Sequence, residues 1–341
     1  MKFKVNPSSI VDVFTDYIKT GKQMFNFTCN GKTLSIQIIG DYYVYFTLPV
    51  ETLDNDFSTK SISAYVTAAI HVFDKDSPIV FDIQESLITI SQDSLIYSAV
   101  KEFEEMKTIS PISEENLKSF SVAKLRYLTR SATTLSTLAK ERKINPSSPI
   151  VFNNEFYVIY SDCIFKEAFE FPNIIIDINI LKSVVYKLEN DAKYYYDVEH
   201  SLLTIVSGIY RFDVVVTQSD SNISYINGIN DKLSKVDIIH PINISNYSKK
   251  LDAISSNFKG YPCTLSITDK SYNLAIVSND MNCSIGDTLS QTLTSIRIST
   301  GILNVISKVF AEDTEVEISK GVNILCFKMG TRTLLVSGIT Y

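Results

Sequence analysis

The stretch Asn179–Thr217, NILKSVVYKLENDAKYYYDVEHSLLTIVSGIYRFDVVVT, contains two periodicities in turn. Leu181, Val184, Val185 and Leu188 recur at helical spacing, which predicts one amphipathic helix. Three runs then alternate apolar and polar residues, Lys193–Val198, Leu202–Ser207 and Tyr210–Thr217, and predict three strands. A polar turn at Asp197–His200 separates the first two. One helix followed by three strands is therefore a unit.

The same unit recurs along the chain. A helix is predicted from Asn6-Pro7 to about Lys19, with Asn6 as N-cap and Pro7 in the first turn. Others start near Ser61, Val122, Asn179, Asn246 and just after Ser299. The starts are spaced by about 54 to 67 residues, a period that marks repeated supersecondary units. Strands are expected at Met24–Cys29, Thr33–Ile39 and Tyr42–Pro49 after the first helix. They are expected at Ile79–Ile83, Leu87–Ser91 and Leu95–Val100 after the second. After the sixth they fall at Glu315–Ser319, Asn323–Lys328 and Thr333–Ile339. With a strand ahead of each helix, the unit is β-α-β-β-β. Six units pair into three α+β domains, 1–113, 114–236 and 237–341, and polar, turn-rich stretches at Ile109–Asn116 and Ser219–Lys235 separate them.

Composition narrows the class of function. The 341 residues are 45% hydrophobic, with 19 Tyr, 19 Phe and no Trp, a mixture that favours sheet. Five cysteines, an odd number with no CxxC pair, fit a reduced protein with buried thiols in the cytoplasm. No signal-peptide core or membrane-length apolar run is present. Residues rich in Asn, Ile, Lys and Tyr fit an AT-rich bacterial or phage genome.

Phosphate-loop, dinucleotide, zinc-protease and serine-elbow motifs are all missing, so no catalytic residue, metal or cofactor is expected. Asp197, Glu199 and His200 form the one cluster with metal-ligand chemistry, and they fall where a hairpin turn is predicted.

Charge is unevenly placed. The six helices sum to about +7 in a chain of net charge −6, leaving about −13 elsewhere. The third helix alone carries about +5. A positive helical surface attracts phosphates without reading bases.

The opening MKFKVNPSSIVDVF, the segments Ser58–Phe103 and Phe120–Leu138, and the closing Thr333–Tyr341 resemble the bacterial DNA sliding clamp, the β subunit of the replicative polymerase. The resemblance covers nearly the whole chain in layout. It implies a non-enzymatic processivity factor, a head-to-tail homodimer encircling duplex DNA, with helices lining the hole and sheets outside. A polymerase and a clamp loader are the implied protein partners.

The lining would carry Lys124, Arg126 and Arg130, then Lys182, Lys187, Lys249, Lys250 and Lys308. The implied partner-peptide pocket takes Cys163, Ile164, Phe165, Leu335, Val336, Gly338 and Ile339. The implied dimer interface sets Leu95, Ile96 and Tyr97 against Ile254 and Phe258. This chain departs from the family at Ser161–Lys166, where a Thr-Asp-Gly-His-Arg-Leu run is common, and at Gly338, where Pro is frequent. Two other readings fit the composition: a monomeric viral-type factor that holds DNA by charge, and a β-rich enzyme with an unrecognised site.

Overall fold

A computed structural model describes residues 1–11, 24–55, 60–63, 69–100, 112–141, 149–160, 163–219, 227–228, 231, 237–242, 248–258, 262–268, 272–278, 281–285, 292–310, 316–321 and 324–338. Strand β1 (Lys2–Val5) leads into a helical turn at residues 7–11, where Asn6 Oδ1 accepts from Ser8 N at 3.1 Å. The remainder of the first predicted helix lies outside the described residues. Then come β2 (Met24–Asn30), β3 (Thr33–Ile39), β4 (Tyr43–Pro49) and the short β5 (Glu51–Thr52).

The second predicted helix needs a correction at its start. Lys60–Ser63 form strand β6, which pairs with β2 from Met24↔Ser63 to Phe27↔Lys60. A free β2 edge offers these residues a ladder that the helical pattern alone does not reveal. A 3-10 turn at Ala69–Val72 precedes β7 (Ile79–Ile83), β8 (Leu87–Gln92) and β9 (Leu95–Val100).

The next pair of units begins at β10 (Lys118–Ser119) and helix α1 (Val122–Glu141), followed by β11 (Pro149–Phe152), β12 (Glu155–Tyr160) and β13 (Cys163–Ala168). Strand β14 (Ile174–Asp177) leads into α2 (Ile178–Val185), β15 (Lys193–Asp197), β16 (Leu202–Ser207), β17 (Tyr210–Val215) and β18 (Thr217–Gln218). The last pair runs β19 (Asp237–Ile242), α3 (Ser248–Asn257), β20 (Pro262–Thr268), β21 (Tyr272–Ser278) and β22 (Met281–Ile285). It ends with β23 (Thr292–Ser299), α4 (Thr300–Val309), β24 (Val316–Gly321), β25 (Ile324–Met329) and β26 (Arg332–Ser337).

One pairing rule repeats three times. The strand that opens each half pairs with the first long strand after the helix of the other half. Thus β1 pairs β7 and β6 pairs β2, β10 pairs β15 and β14 pairs β11, β19 pairs β24 and β23 pairs β20. Swapping the opening strands locks the halves together, because neither sheet is complete without the other's contribution.

A second rule joins successive pairs of units. The last strand of a first half pairs with the last strand of the next second half: β4 with β17 from Tyr43↔Asp213 to Phe46↔Tyr210, and β13 with β26 from Cys163↔Val336 to Lys166↔Thr333. The sheets accordingly run β10-β15-β16-β17-β4-β3-β2-β6 and β18-β14-β11-β12-β13-β26-β25-β24-β19. Two smaller sheets run β5-β1-β7-β8-β9 and β22-β21-β20-β23.

The chain divides into two compact units. Residues 1–120 with 188–215 form the first, which holds a five- and an eight-stranded sheet. Its core is aromatic: Phe3 stacks on Phe81 at 5.0 Å, and Phe27 from the other sheet closes on both at about 6 Å. Residues 121–187 with 216–341 form the second, which holds the nine- and four-stranded sheets and α1 to α4. There α1 packs on α2 and α4, and α3 on α4. Phe152, Phe156, Phe165, Phe169 and Phe171 form a contiguous ring cluster.

Cys29, Cys163, Cys263 and Cys326 are buried free thiols. Burial pushes the Cys263 thiol from its ordinary 9.0 up to about 12 and Cys326 to about 11. Unfolded thiols lose their protons first as pH rises, so the native state loses relative stability above the unfolded value. Thermal melts are expected to fall between pH 9 and 11, and replacing Cys263 with Ala is expected to flatten that fall. An unchanged slope in the variant would exclude this cause.

Candidate nucleic-acid interface

Helix α1 buries Val122, Leu125, Leu128, Ala132 and Leu135, the stripe that its period dictates. Ser121 Oγ accepts from Lys124 N at 3.3 Å and helps satisfy the first turn. With that face fixed inward, Arg130 stands exposed and Arg126 half-buried. Lys124 is held differently: its Nζ lies 3.6 Å from Glu167 Oε1 on β13.

Helix α2 starts at Asp177, whose carboxylate accepts from Asn179 N at 2.7 Å and from Ile180 N. Burial of Leu181, Val184 and Val185 leaves Lys182 exposed and Lys187 half-buried. Lys249 is exposed on α3, and the side chain of Lys250 lies outside the described residues. On α4, Lys308 is exposed in the last turn, where the helix dipole favours a cation. Arg130, Lys182, Lys249 and Lys308 thus stand exposed, one on each of α1 to α4.

Glu167 is a group that the sequence reading missed. It is almost fully buried and takes Arg332 Nε at 3.2 Å on Oε2 and Lys124 on Oε1. The Arg332 guanidinium lies 4.5 Å above the Tyr127 ring, and both side chains donate to the Val309 carbonyl at the end of α4. Glu167 and Arg332 are 165 positions apart, so no local pattern could join them.

The candidate partner residues meet on adjacent strands. Cys163↔Val336 and Ile164↔Leu335 are direct cross-strand partners. Alternation splits them: Cys163, Phe165 and Val336 are buried in the core, while Ile164 and Leu335 cluster on the opposite face with Ile159 and Ile324. Gly338 is half-buried just past β26, and Ile339 lies outside the described residues.

The candidate dimer residues fall on two kinds of element. Leu95 and Ile96 are exposed, Ile96 to 65%, and Tyr97 is half-buried, all on β9 at the end of its sheet. Ile254 is buried on α3. Phe258 is half-buried just past that helix, and its carbonyl accepts from Thr300 Oγ1 at 2.6 Å. The sequence reading passed over β22, which ends the four-stranded sheet.

Asp197 and His200 occupy the β15–β16 turn. The Asp197 carboxylate accepts from His200 N at 3.1 Å and lies 2.8 Å from its Nδ1. That contact holds the Asp197 carboxyl below and the His200 imidazole above their ordinary values. Hydrogen bonds within a turn account for the cluster.

Three tandem pairs of halves with exchanged opening strands, sheets continued across β4–β17 and β13–β26, and helices α1 to α4 with exposed basic residues are features of the DNA sliding-clamp fold, and the chain adopts it. Over its full length the chain is similar to a Helicobacter pylori β clamp bound to a DNA ligase peptide, at TM-score 0.75 and 11% identity, each chain covered to 100%. It is similar to the β subunit of DNA polymerase from Streptococcus pyogenes, at TM-score 0.74, 13% identity and 100% coverage of both chains. The Bacillus subtilis polymerase sliding clamp matches at TM-score 0.75 and 13% identity, covering 100% of this chain and 99% of its own. No protein-family model matches the sequence, and no curated protein does.

Proposed function

We propose that this chain is a DNA polymerase processivity factor, a sliding clamp whose two copies close head to tail around duplex DNA and which catalyses nothing. The single observation that carries the reading is the whole-length clamp fold with its repeated pairing rule. The three domains are 1–113, 114–236 and 237–341. The rule joins the last strand of a first half to the last strand of a second half. Applied once more, it pairs β22 of one protomer with β9 of the other and covers two sheet ends. Ile254 and Phe258 lie beside that seam.

Arg130, Lys182, Lys249 and Lys308, with Lys124, Arg126, Lys187 and Lys250 beside them, face the DNA and hold it through phosphates alone. The polymerase and the clamp loader dock by short peptides at the β13–β26 seam, around Ile164 and Leu335. The site of action is the cytoplasm, of a bacterial cell or an infected host.

Light scattering in line with small-angle X-ray scattering tests the ring. A mass about twice 38.4 kDa, with a hollow distance distribution, is expected. A compact monomer at every concentration would overturn the ring and favour a monomeric factor holding DNA by charge.

A further inference from the structure

Helix α2 turns Ile178, Leu181, Val184 and Val185 inward, and its outward face carries three exposed side chains, Asn179, Lys182 and Tyr186. Their spacing of three and four residues stacks them along one side of the helix. Tyr186 still belongs to that stripe. Its backbone is right-handed helical, φ −68° and ψ −17°, and its N–H donates to the Lys182 carbonyl at 3.3 Å. Lys187 follows it, half-buried.

Tyr186 is 53% exposed, and among the described residues it is the one exposed aromatic side chain. The other described Phe and Tyr side chains are buried or half-buried. Four aliphatic side chains already seat α2 on the core, so folding does not call for a ring on the outward face. A single exposed tyrosine is ordinary on a protein surface. What sets this one apart is its place, in line with Lys182 and next to Lys187 in sequence.

On the clamp reading proposed above, this face looks onto DNA and its lysines take phosphates. A phosphate contact forms on paired and unpaired strands alike. An aromatic ring discriminates between them: duplex bases are stacked and closed to it, whereas an unpaired base offers a free face. One helical turn separates Lys182 from Tyr186, about 6 Å along the axis. A cation at one end of that span and a ring at the other match the phosphate and the base of a single strand.

We propose that Lys182 and Tyr186 form a subsite for single-stranded DNA, the lysine on a phosphate and the tyrosine ring stacked on an unpaired base of any sequence. The subsite rests on the clamp reading for its ligand. It gives the protein a hold on unpaired strand that it lacks on duplex, and that hold is not electrostatic.

Fluorescence anisotropy of the full-length protein with labelled oligo(dT) and a blunt duplex of equal length, over a range of salt, tests it. Tyr186→Ala is expected to lower the ratio of single-strand to duplex affinity about tenfold, with the salt slopes unchanged. Tyr186→Phe is expected to keep the parent's ratio, since stacking uses the ring and not the hydroxyl. Lys182→Ala is expected to weaken both DNAs and to flatten both salt slopes by about one. An unchanged ratio in Tyr186→Ala, with Lys182→Ala behaving as expected, would overturn the subsite and leave the clamp reading standing. Equal loss in Tyr186→Phe and Tyr186→Ala would overturn stacking in favour of a hydroxyl contact. Binding of neither DNA by the parent chain would overturn the subsite as well, and the scattering mass then decides the ring separately.

Discussion

Ile96→Asp is expected to convert the proposed head-to-tail dimer to a folded monomer at concentrations where the parent chain pairs. Ile96 is 65% exposed on β9, so the change costs the isolated chain little. In a head-to-tail ring the same strand is used twice, once at each seam. Burying an isoleucine is worth about 2 kcal/mol, so losing it at both seams removes about 4 kcal/mol. That alone weakens dimerisation by about three decades, and the buried carboxylate adds to it.

Sedimentation velocity reads the outcome, and retention on closed circular DNA should vanish with the dimer. Val72→Asp, at an equally exposed position in the same unit, should leave the dimer intact. If Ile96→Asp remains a dimer, the β9–β22 seam is wrong, whatever the ring's shape.

Glu167→Ala is expected to destabilise the second unit by about 3 kcal/mol, the scale for breaking a buried ion pair by removing one partner. The carboxylate is buried beside Arg332, a guanidinium only 17% exposed, and it also holds Lys124. Removing it leaves a cation desolvated against Tyr127 with the Val309 carbonyl as a neutral partner. Denaturant unfolding of Glu167→Ala, Arg332→Ala and the double variant gives the coupling directly. Additive losses would show that the pair is not coupled. Because Lys124 is released in Glu167→Ala, DNA affinity of the surviving folded protein should rise rather than fall.

Local pattern carried much of the architecture. The Leu181–Leu188 stripe placed α2, and the alternation in Lys193–Thr217 placed β15 to β17, because each signal lies within a few residues of chain. The Asn6 helix start was legible for the same reason, since a cap acts on its own first turn; the start after Ser299, whose side chain makes no capping bond, rested on the apolar period alone. Lys60–Ser63 was misread because strand pairing with β2 is a non-local choice.

Site residues divided similarly. The sequence by itself determined that basic residues such as Arg130, Lys182 and Lys308 would be exposed, since their helices must turn apolar stripes inward. It also determined the six-unit repeat, the absence of catalytic motifs and the polar turn at Asp197–His200. Only the tertiary structure decided that Ile164 and Leu335 face one another while Cys163, Phe165 and Val336 enter the core. A shift of one residue in register would have reversed those faces. The Glu167–Arg332 pair was likewise decided by tertiary structure. Those contacts join residues distant in sequence, and strand order and register, which side-chain packing over the whole unit selects, bring them together.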